Sequence, residues 1–168
     1  TAVIQGFGNV GSHTARLLAT SGLHILAISD SAGGIYHKQG LNMKAVLDYK
    51  RKHHTLNGFP GAEHVTNQEI LTIPCTVLVP AAIGGQITQE NASKVRCRIL
   101  AEGANGPTTV EADVLLKDKG VFIIPDILAN SGGVIVSYFE WVQDLQKYFW
   151  KEQEINEKLQ DIISAAYT

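Results

Sequence analysis

Three glycines stand two and three positions apart in Gly6-Phe7-Gly8-Asn9-Val10-Gly11, directly after the apolar run 2–5 and at the head of a stretch with helical periodicity, 9–20. Each has a physical task when main chain must hold an anion. Gly6 permits a tight turn, Gly8 offers backbone with no Cβ in the way, and Gly11 lets a helix lie close to its strand. The first N–H groups of a helix lack intrahelical partners and carry its positive dipole end, so a phosphate is drawn to such a turn. Asp30 closes the next apolar run, 24 residues beyond Gly6, where a carboxylate in a strand–turn–helix–strand unit accepts both hydroxyls of an adenosine ribose. A GxGxxG string by itself is weak; strand, turn, helix and acid in register predict a dinucleotide site. Its cradle would be Gly6, Phe7, Gly8, Asn9, Val10 and Gly11, with Asp30 and Ser31 at the ribose. The charge on Asp30 opposes a 2′-phosphate and favours NAD, while the hydroxyl of Ser31 and the flexible Gly33-Gly34 leave NADP open.

The elements that position these residues follow from apolar patterning. Five short runs rich in β-branched residues occupy 2–7, 24–29, 76–80, 98–102 and 121–124, near-continuous rather than alternating, as in a parallel sheet covered on both faces. Helical patterns at 9–20, 42–54 and 109–119 separate them. The alternation predicts an α/β fold, Rossmann-like and doubly wound, with a mainly parallel sheet, right-handed crossovers and helices on both faces. A mostly helical C-terminal tail begins at Pro125-Asp126, passes through Gly132-Gly133 and continues over 134–149. A separate amphipathic helix follows at 152–166, and the clearest loop is 55–67, with Gly58-Phe59-Pro60-Gly61.

Composition sets the outer bounds. The 168 residues suit one domain with a sizeable core, and the formal charge of -2 carries no basic run longer than Lys50-Arg51-Lys52. Neither nucleic acid nor an anionic membrane is suggested as a partner. No apolar stretch approaches the roughly 20 residues that span a bilayer, no secretory leader is visible, and Cys75 and Cys97 read as reduced thiols at strand edges, so a cytoplasmic location is expected. Because Thr1-Ala2-Val3-Ile4 enters a strand at once, the sequence is expected to be a piece of a longer polypeptide.

Four strings together resemble the glutamate, leucine, phenylalanine and valine dehydrogenase family, most closely its glutamate dehydrogenase branch: GFGNVG at 6–11, SDSAGGIY at 29–36, AEGANGPTT at 101–109 and PDILANSGGVIVSYFEW at 125–141. The resemblance spans essentially the whole chain, and its last two strings are highly specific. It implies a coenzyme domain at 1–150 and, at 151–168, a helix that in the family packs toward an N-terminal substrate domain this sequence does not contain. By the same resemblance the full enzyme performs reversible oxidative deamination of L-glutamate to 2-oxoglutarate and ammonia with hydride transfer to NAD or NADP, assembles as a homo-oligomer, a hexamer, and binds substrate through that other domain. This chain alone is then expected to be inactive. Alternatives are the coenzyme domain of a leucine or phenylalanine dehydrogenase, or a non-catalytic dinucleotide-binding module.

A nicotinamide ring needs neutral hydrogen-bonding partners at the carboxyl ends of the strands, and Asn105 and Asn130 fit that need once the resemblance is granted. Their bland alternative is to cap helices or shape turns. Ala81 and Ala82 end the third apolar run, where small side chains admit the dinucleotide; the family pattern there reads PAALENQI, and this chain has PAAIGGQI. Glycines thus stand where the family carries an acid and an asparagine, so no side chain at Gly85 reaches the nicotinamide ribose. Ser137 matches the serine whose hydroxyl meets the substrate's side-chain carboxylate in glutamate dehydrogenases, its alternative being a bond back to a carbonyl four residues earlier.

Of the six histidines, His53-His54 and His64 lie in a charged helix end and a loop without carboxylate or cysteine at ligand spacing, so surface positions rather than a metal site are expected. Nothing resembles a nucleophile with its base. The aromatic group Tyr138, Phe139, Trp141, Tyr148, Phe149 and Trp150 covers more than one face of the tail, as residues packing against another domain or subunit would.

Overall fold

A computed structural model describes residues 1–168. Seven strands form one sheet in the order β4-β3-β2-β1-β5-β6-β7. They are β1 (Ala2–Gln5), β2 (Ile25–Asp30), β3 (Gly33–Tyr36), β4 (Glu63–Val65), β5 (Cys75–Pro80), β6 (Cys97–Ala101) and β7 (Phe122–Ile124). The helices are α1 (Asn9–Thr20), α2 (Met43–His53), α3 (Val110–Asp118), α4 (Asp126–Ala129), α5 (Gly132–Gln146) and α6 (Glu152–Tyr167). The pairs β1·β2, β1·β5, β5·β6 and β6·β7 are parallel, which is the Rossmann-like arrangement the apolar runs predict.

Every residue of β1 and β2 is buried because helices cover both faces. Side chains alternate across a strand, so Val3 enters one core and Ala2 and Ile4 the other. The first core joins Val3, Ala27, Leu78 and Leu100 to Ala112 and Leu116 of α3 and to two short 3-10 turns carrying Ile70, Leu71 and Ala92. The second joins Ile4, Ile28 and Ile35 to Ala15 of α1 and to Met43 and Val46 of α2.

Two strands depart from the sequence expectation. β3 pairs antiparallel with β2, and β4, inside the segment 55–67 expected to be loop, pairs antiparallel with β3. Neither has an apolar run: β3 begins Gly33-Gly34, and Glu63 and His64 of β4 are exposed. Their pairing comes from a hairpin that the end of β2 imposes, with Asp30 opposite Gly33, rather than from their own propensity. Both rims of the sheet, β4 and β7, are only 3 residues long.

The tail is two helices folded on each other after the short α4. α5 stops at Gln146, before the expected 149, because Lys147 takes a left-handed conformation with φ 52°. The Trp150 ring then meets Phe139 edge-on at 5.7 Å, and its backbone N–H donates to Gln143 Oε1 at 2.6 Å, returning α6 along α5. No helix is long and apolar enough to cross a membrane.

Candidate functional site

Strand order reverses between β1 and β5: the chain builds outward through β2 on one side and through β6 and β7 on the other. In such sheets ligands bind outside the carboxyl ends of the strands at this switch point. Here the ends of β1 and β5 carry Gln5-Gly6 and Pro80-Ala81, and the turn 6–8 lies between them.

The three glycines are required in different ways. Gly6 has φ +102°, and a Cβ there would stand 2.7 Å from the Ala81 carbonyl oxygen. At Gly11 a Cβ would collide with the Gly6 carbonyl oxygen, so this glycine closes the turn on itself, with Ile4 Cγ2 of the strand behind at 3.5 Å. A Cβ on Gly8 would meet nothing within 4 Å. That is the geometry of a cradle: two glycines the fold needs, and one facing open space. Gly8 is also the N-cap of α1, which has no side-chain cap and no acid in its first turn, whereas Asn42 caps α2 and Thr109 caps α3. The first amides of α1 are therefore left without a side-chain acceptor.

Two adjoining chambers flank this turn. The first, about 560 Å³, is lined by Gln5, Gly6, Phe7, Gly8, Asp30, Ser31, Lys50, Asn67, Ala81, Ala82, Ile83 and Gln86. The second, about 700 Å³, is lined by Val10, Ala81, Ala82, Ile83, Gly84, Gly103, Ala104, Asn105, Asn130, Gly133, Val134 and Ser137. Residues 81–83 are their common wall. Eleven of the thirteen sequence-predicted site residues, from five separate strings, thus line these two adjoining chambers; Asn9, the first residue of α1, and Gly11, buried in the first turn of that helix, line neither. The ring of Phe7 is buried in the core beside α1, leaving its backbone to the turn.

Asp30 stands where its spacing placed it, and its carboxylate is already engaged. Lys50 Nζ of α2 donates to Oδ2 at 2.7 Å, as does the Leu56 amide at 2.8 Å, and the Ala32 amide donates to Oδ1 at 2.8 Å. Burial desolvates this carboxylate and pushes its pKa up, but the Lys50 ammonium and the two amides outweigh that and hold it below the ordinary value. Oδ1, with one donor, keeps capacity for another. Lys50, Asn67, Gln5 and Gln86 are lining residues that sequence reasoning missed. Lys50 lies in a basic run that reads as a solvated helix face, and only the docking of α2 turns it toward Asp30.

In the second chamber Asn130 Nδ2 donates to Asn105 Oδ1 at 2.7 Å, so two residues 25 apart in sequence form one amide pair. In either orientation of the two amides the pair keeps one whole NH2 group and one whole carbonyl oxygen free, the complement of a carboxamide. Asp126 fixes the loop before Asn130: its Oδ2 accepts from the Gly106 amide at 2.8 Å, and its own amide donates to the buried Glu102 Oε2 at 3.0 Å. Ser137 Oγ donates to the Gly133 carbonyl at 3.0 Å, the local bond that was its alternative reading, so donating to a substrate carboxylate would require it to turn. None of the second chamber's lining side chains is ionisable.

A doubly wound sheet with an uncapped helix terminus at its switch point, opening on a two-chambered cleft, defines a Rossmann-like α/β domain. Residues 1–168 match the model of the Glutamate/Leucine/Phenylalanine/Valine dehydrogenase family, and the chain belongs to that family. It is 45% identical over 168 residues to the glutamate dehydrogenase of Thermotoga maritima, covering 99% of this chain and 40% of that protein. It is 46% identical over 170 residues to the NADP-specific glutamate dehydrogenase of Synechocystis, covering 96% of this chain and 40% of that protein. Among solved structures, the hetero-hexameric glutamate dehydrogenase of Thermus thermophilus superposes with a TM-score of 0.91 at 32% identity, over 98% of this chain and 39% of that one. The chain therefore spans about two fifths of the length of these relatives.

Proposed function

We propose that the chain is the C-terminal coenzyme-binding domain, with its returning helix, of an amino-acid dehydrogenase, and that this enzyme is a glutamate dehydrogenase. It would deaminate L-glutamate oxidatively and reversibly to 2-oxoglutarate and ammonia. The observation that carries the proposal is the cleft itself, with the glycine turn between one chamber shaped for adenosine and another that is neutral and amide-lined. When bound, the dinucleotide supplies the hydride acceptor. The amides at the head of α1 hold its pyrophosphate, Asp30 and Ser31 with Lys50 face the adenosine ribose, Ala81 and Ala82 admit the chain of the coenzyme, and the Asn105–Asn130 pair orients the carboxamide. Ser137, on the wall of the second chamber, would meet the substrate's side-chain carboxylate once its hydroxyl turns from the Gly133 carbonyl. Two close relatives bearing the name glutamate dehydrogenase support the choice of substrate.

Both coenzymes are proposed to bind. Asp30 favours a free 2′-hydroxyl, while the Lys50 ammonium 2.7 Å from it offsets its charge and can face a 2′-phosphate. The absence of any ionisable side chain from the second chamber means that the acid and base for deamination come from residues outside it. The whole protein is proposed to be a cytoplasmic homo-oligomer, a hexamer, in line with its free cysteines and the hexameric Thermus relative.

Parallel titration of the chain with NADH and NADPH, followed by nicotinamide fluorescence, tests this. Saturable binding of both, with no reduction of either oxidised coenzyme by glutamate, is expected. Binding of neither overturns the coenzyme reading, and turnover by the chain alone overturns the division of labour.

A further inference from the structure

Across the floor of the first chamber runs a line of side-chain amides. Asn67 Nδ2 donates to the Asp30 carbonyl at 2.9 Å, Gln5 Nε2 donates to the Asn67 carbonyl at 3.1 Å and to Gln86 Oε1 at 2.9 Å, and Gln86 Nε2 donates to the Gly84 carbonyl at 3.3 Å. The Gly85 amide then donates to the Gly106 carbonyl at 2.8 Å, beside Asn105. A backbone carbonyl can only accept, so the Gln5 atom facing Asn67 is its nitrogen and the orientation of the Gln5 amide is fixed.

Gln5 is only 1% exposed at the end of β1, the strand that leads into the glycine turn. Both its N–H groups are spent on this line, and its Oε1 is buried with no partner in the protein. Buried polar side chains are kept where their hydrogen bonds do something apolar packing cannot. Here the bonds join the end of the strand carrying Asp30, in the first chamber, to the loop 84–86, which borders the second. Backbone and Asn91 also hold that loop, the Gln86 amide donating to the Pro107 carbonyl at 2.8 Å and Asn91 Nδ2 donating to the Gln86 carbonyl at 2.8 Å, and the side-chain line adds its one tie to the strand end carrying Asp30. Gly84 and Gly85 have no side chains, and Gly85 is left-handed at φ +65°. A Cβ on Gly84 would stand 3.0 Å from the Asn105 carbonyl oxygen, so the loop lies directly on the segment carrying Asn105.

We propose that Gln5 is a positioning residue that couples the two chambers: acting through Gln86, it sets the Gly84-Gly85 loop and the Asn105 segment resting on it against the strand end that carries Asp30. The inference rests on the coenzyme reading above. It assigns to a buried strand residue the placement of the nicotinamide half of the ligand, which Gln5 itself does not touch.

The test uses two probes, NADH and ADP-ribose, which shares the adenosine and pyrophosphate but lacks the nicotinamide. Gln86 is half-buried, so Gln86→Ala leaves the core intact; Gln5→Leu replaces the buried amide with an apolar group of similar size. Each variant is expected to weaken NADH about fivefold and ADP-ribose by less than about twofold, the scale of one or two net hydrogen bonds. The double variant should be no worse than either single one, because both cut the same line. Equal loss on both probes would mean a general structural effect, and additive losses would mean two independent residues; either overturns the coupling. Should Gln5→Leu fail to melt cooperatively, the probe ratio for Gln86→Ala decides alone. If the unaltered chain binds neither probe, the coenzyme reading fails and the coupling with it; if it binds both and the ratio does not move in the variants, only the coupling fails.

Discussion

Asp30 shows how far a single residue can be read from spacing and where spacing stops. Its distance from Gly6 placed it at the end of β2, but the Lys50 ammonium and the Leu56 and Ala32 amides that surround its carboxylate arrive from segments that no spacing rule connects to it. Because its pKa is lower in the folded chain than the ordinary 3.8, the unfolded chain takes up this proton first as the solution is acidified. Its contribution to stability is therefore complete above the unfolded value and is lost as pH falls through the folded one. Urea unfolding should show this as a stability decline beginning below about pH 5, shallower in Lys50→Met. With 26% of the Lys50 side chain open to solvent, that variant should cost about 1 kcal/mol at neutral pH, and it should weaken NADPH more than NADH in parallel titrations. The cysteines provide a second residue-scale test. Burial pushes Cys75 up to about 12, with Cys97 adding to the rise, and burial pushes Cys97 up to about 11. Alkylation by iodoacetamide at pH 7.5, roughly one unit below an ordinary thiol's pKa, should therefore be far slower for the folded chain than for the chain in urea, and equal rates would contradict the burial.

At the scale of elements, the strands of the parallel core and their helices were legible to within one or two residues, because a strand buried on both faces must be written as an uninterrupted apolar run. β3 and β4 were not legible for the converse reason: an edge hairpin of Gly33-Gly34 and Glu63-His64 gains its order from a neighbouring strand and leaves no periodicity behind. The candidate site follows the same division. Its glycines, Asp30 and the two asparagines occur in recognisable strings, whereas Gln5, Asn67 and Gln86 act by pairing across the sheet, and that pairing exists only once β1 and β5 lie side by side. The loop from β1 into α1 offers a direct comparison. Gly11→Ala should cost about 1–3 kcal/mol or unfold the chain, since its Cβ would collide with the Gly6 carbonyl. Gly8→Asp should instead raise stability by about 0.3–1 kcal/mol by capping α1, and should remove dinucleotide binding because its carboxylate occupies the place of the pyrophosphate. Thermal melts together with NADH titration separate the two, and a Gly8→Asp variant that still binds would refute the cradle.

The whole molecule carries its largest apolar exposure on the tail, where Tyr138, Trp141, Leu145, Tyr148 and Phe149 are each more than half exposed. The tryptophans should report this unequally. Trp150 is sheltered by Phe139 and by Lys158, whose Nζ lies 5.0 Å from its ring centre, while Trp141 stands open. Acrylamide should quench Trp141 strongly and Trp150 weakly, with Trp141→Phe removing most of the quenchable emission; equal quenching would show that the tail is folded otherwise. At the two flanks of the sheet the situation is reversed. β4 and β7 give a visiting chain only a three-residue template, and Glu63 and His64 place polar groups on one of them. Main-chain pairing between copies of this chain thus finds a poor template at either flank, and a lengthening ribbon of sheets gains little from these edges.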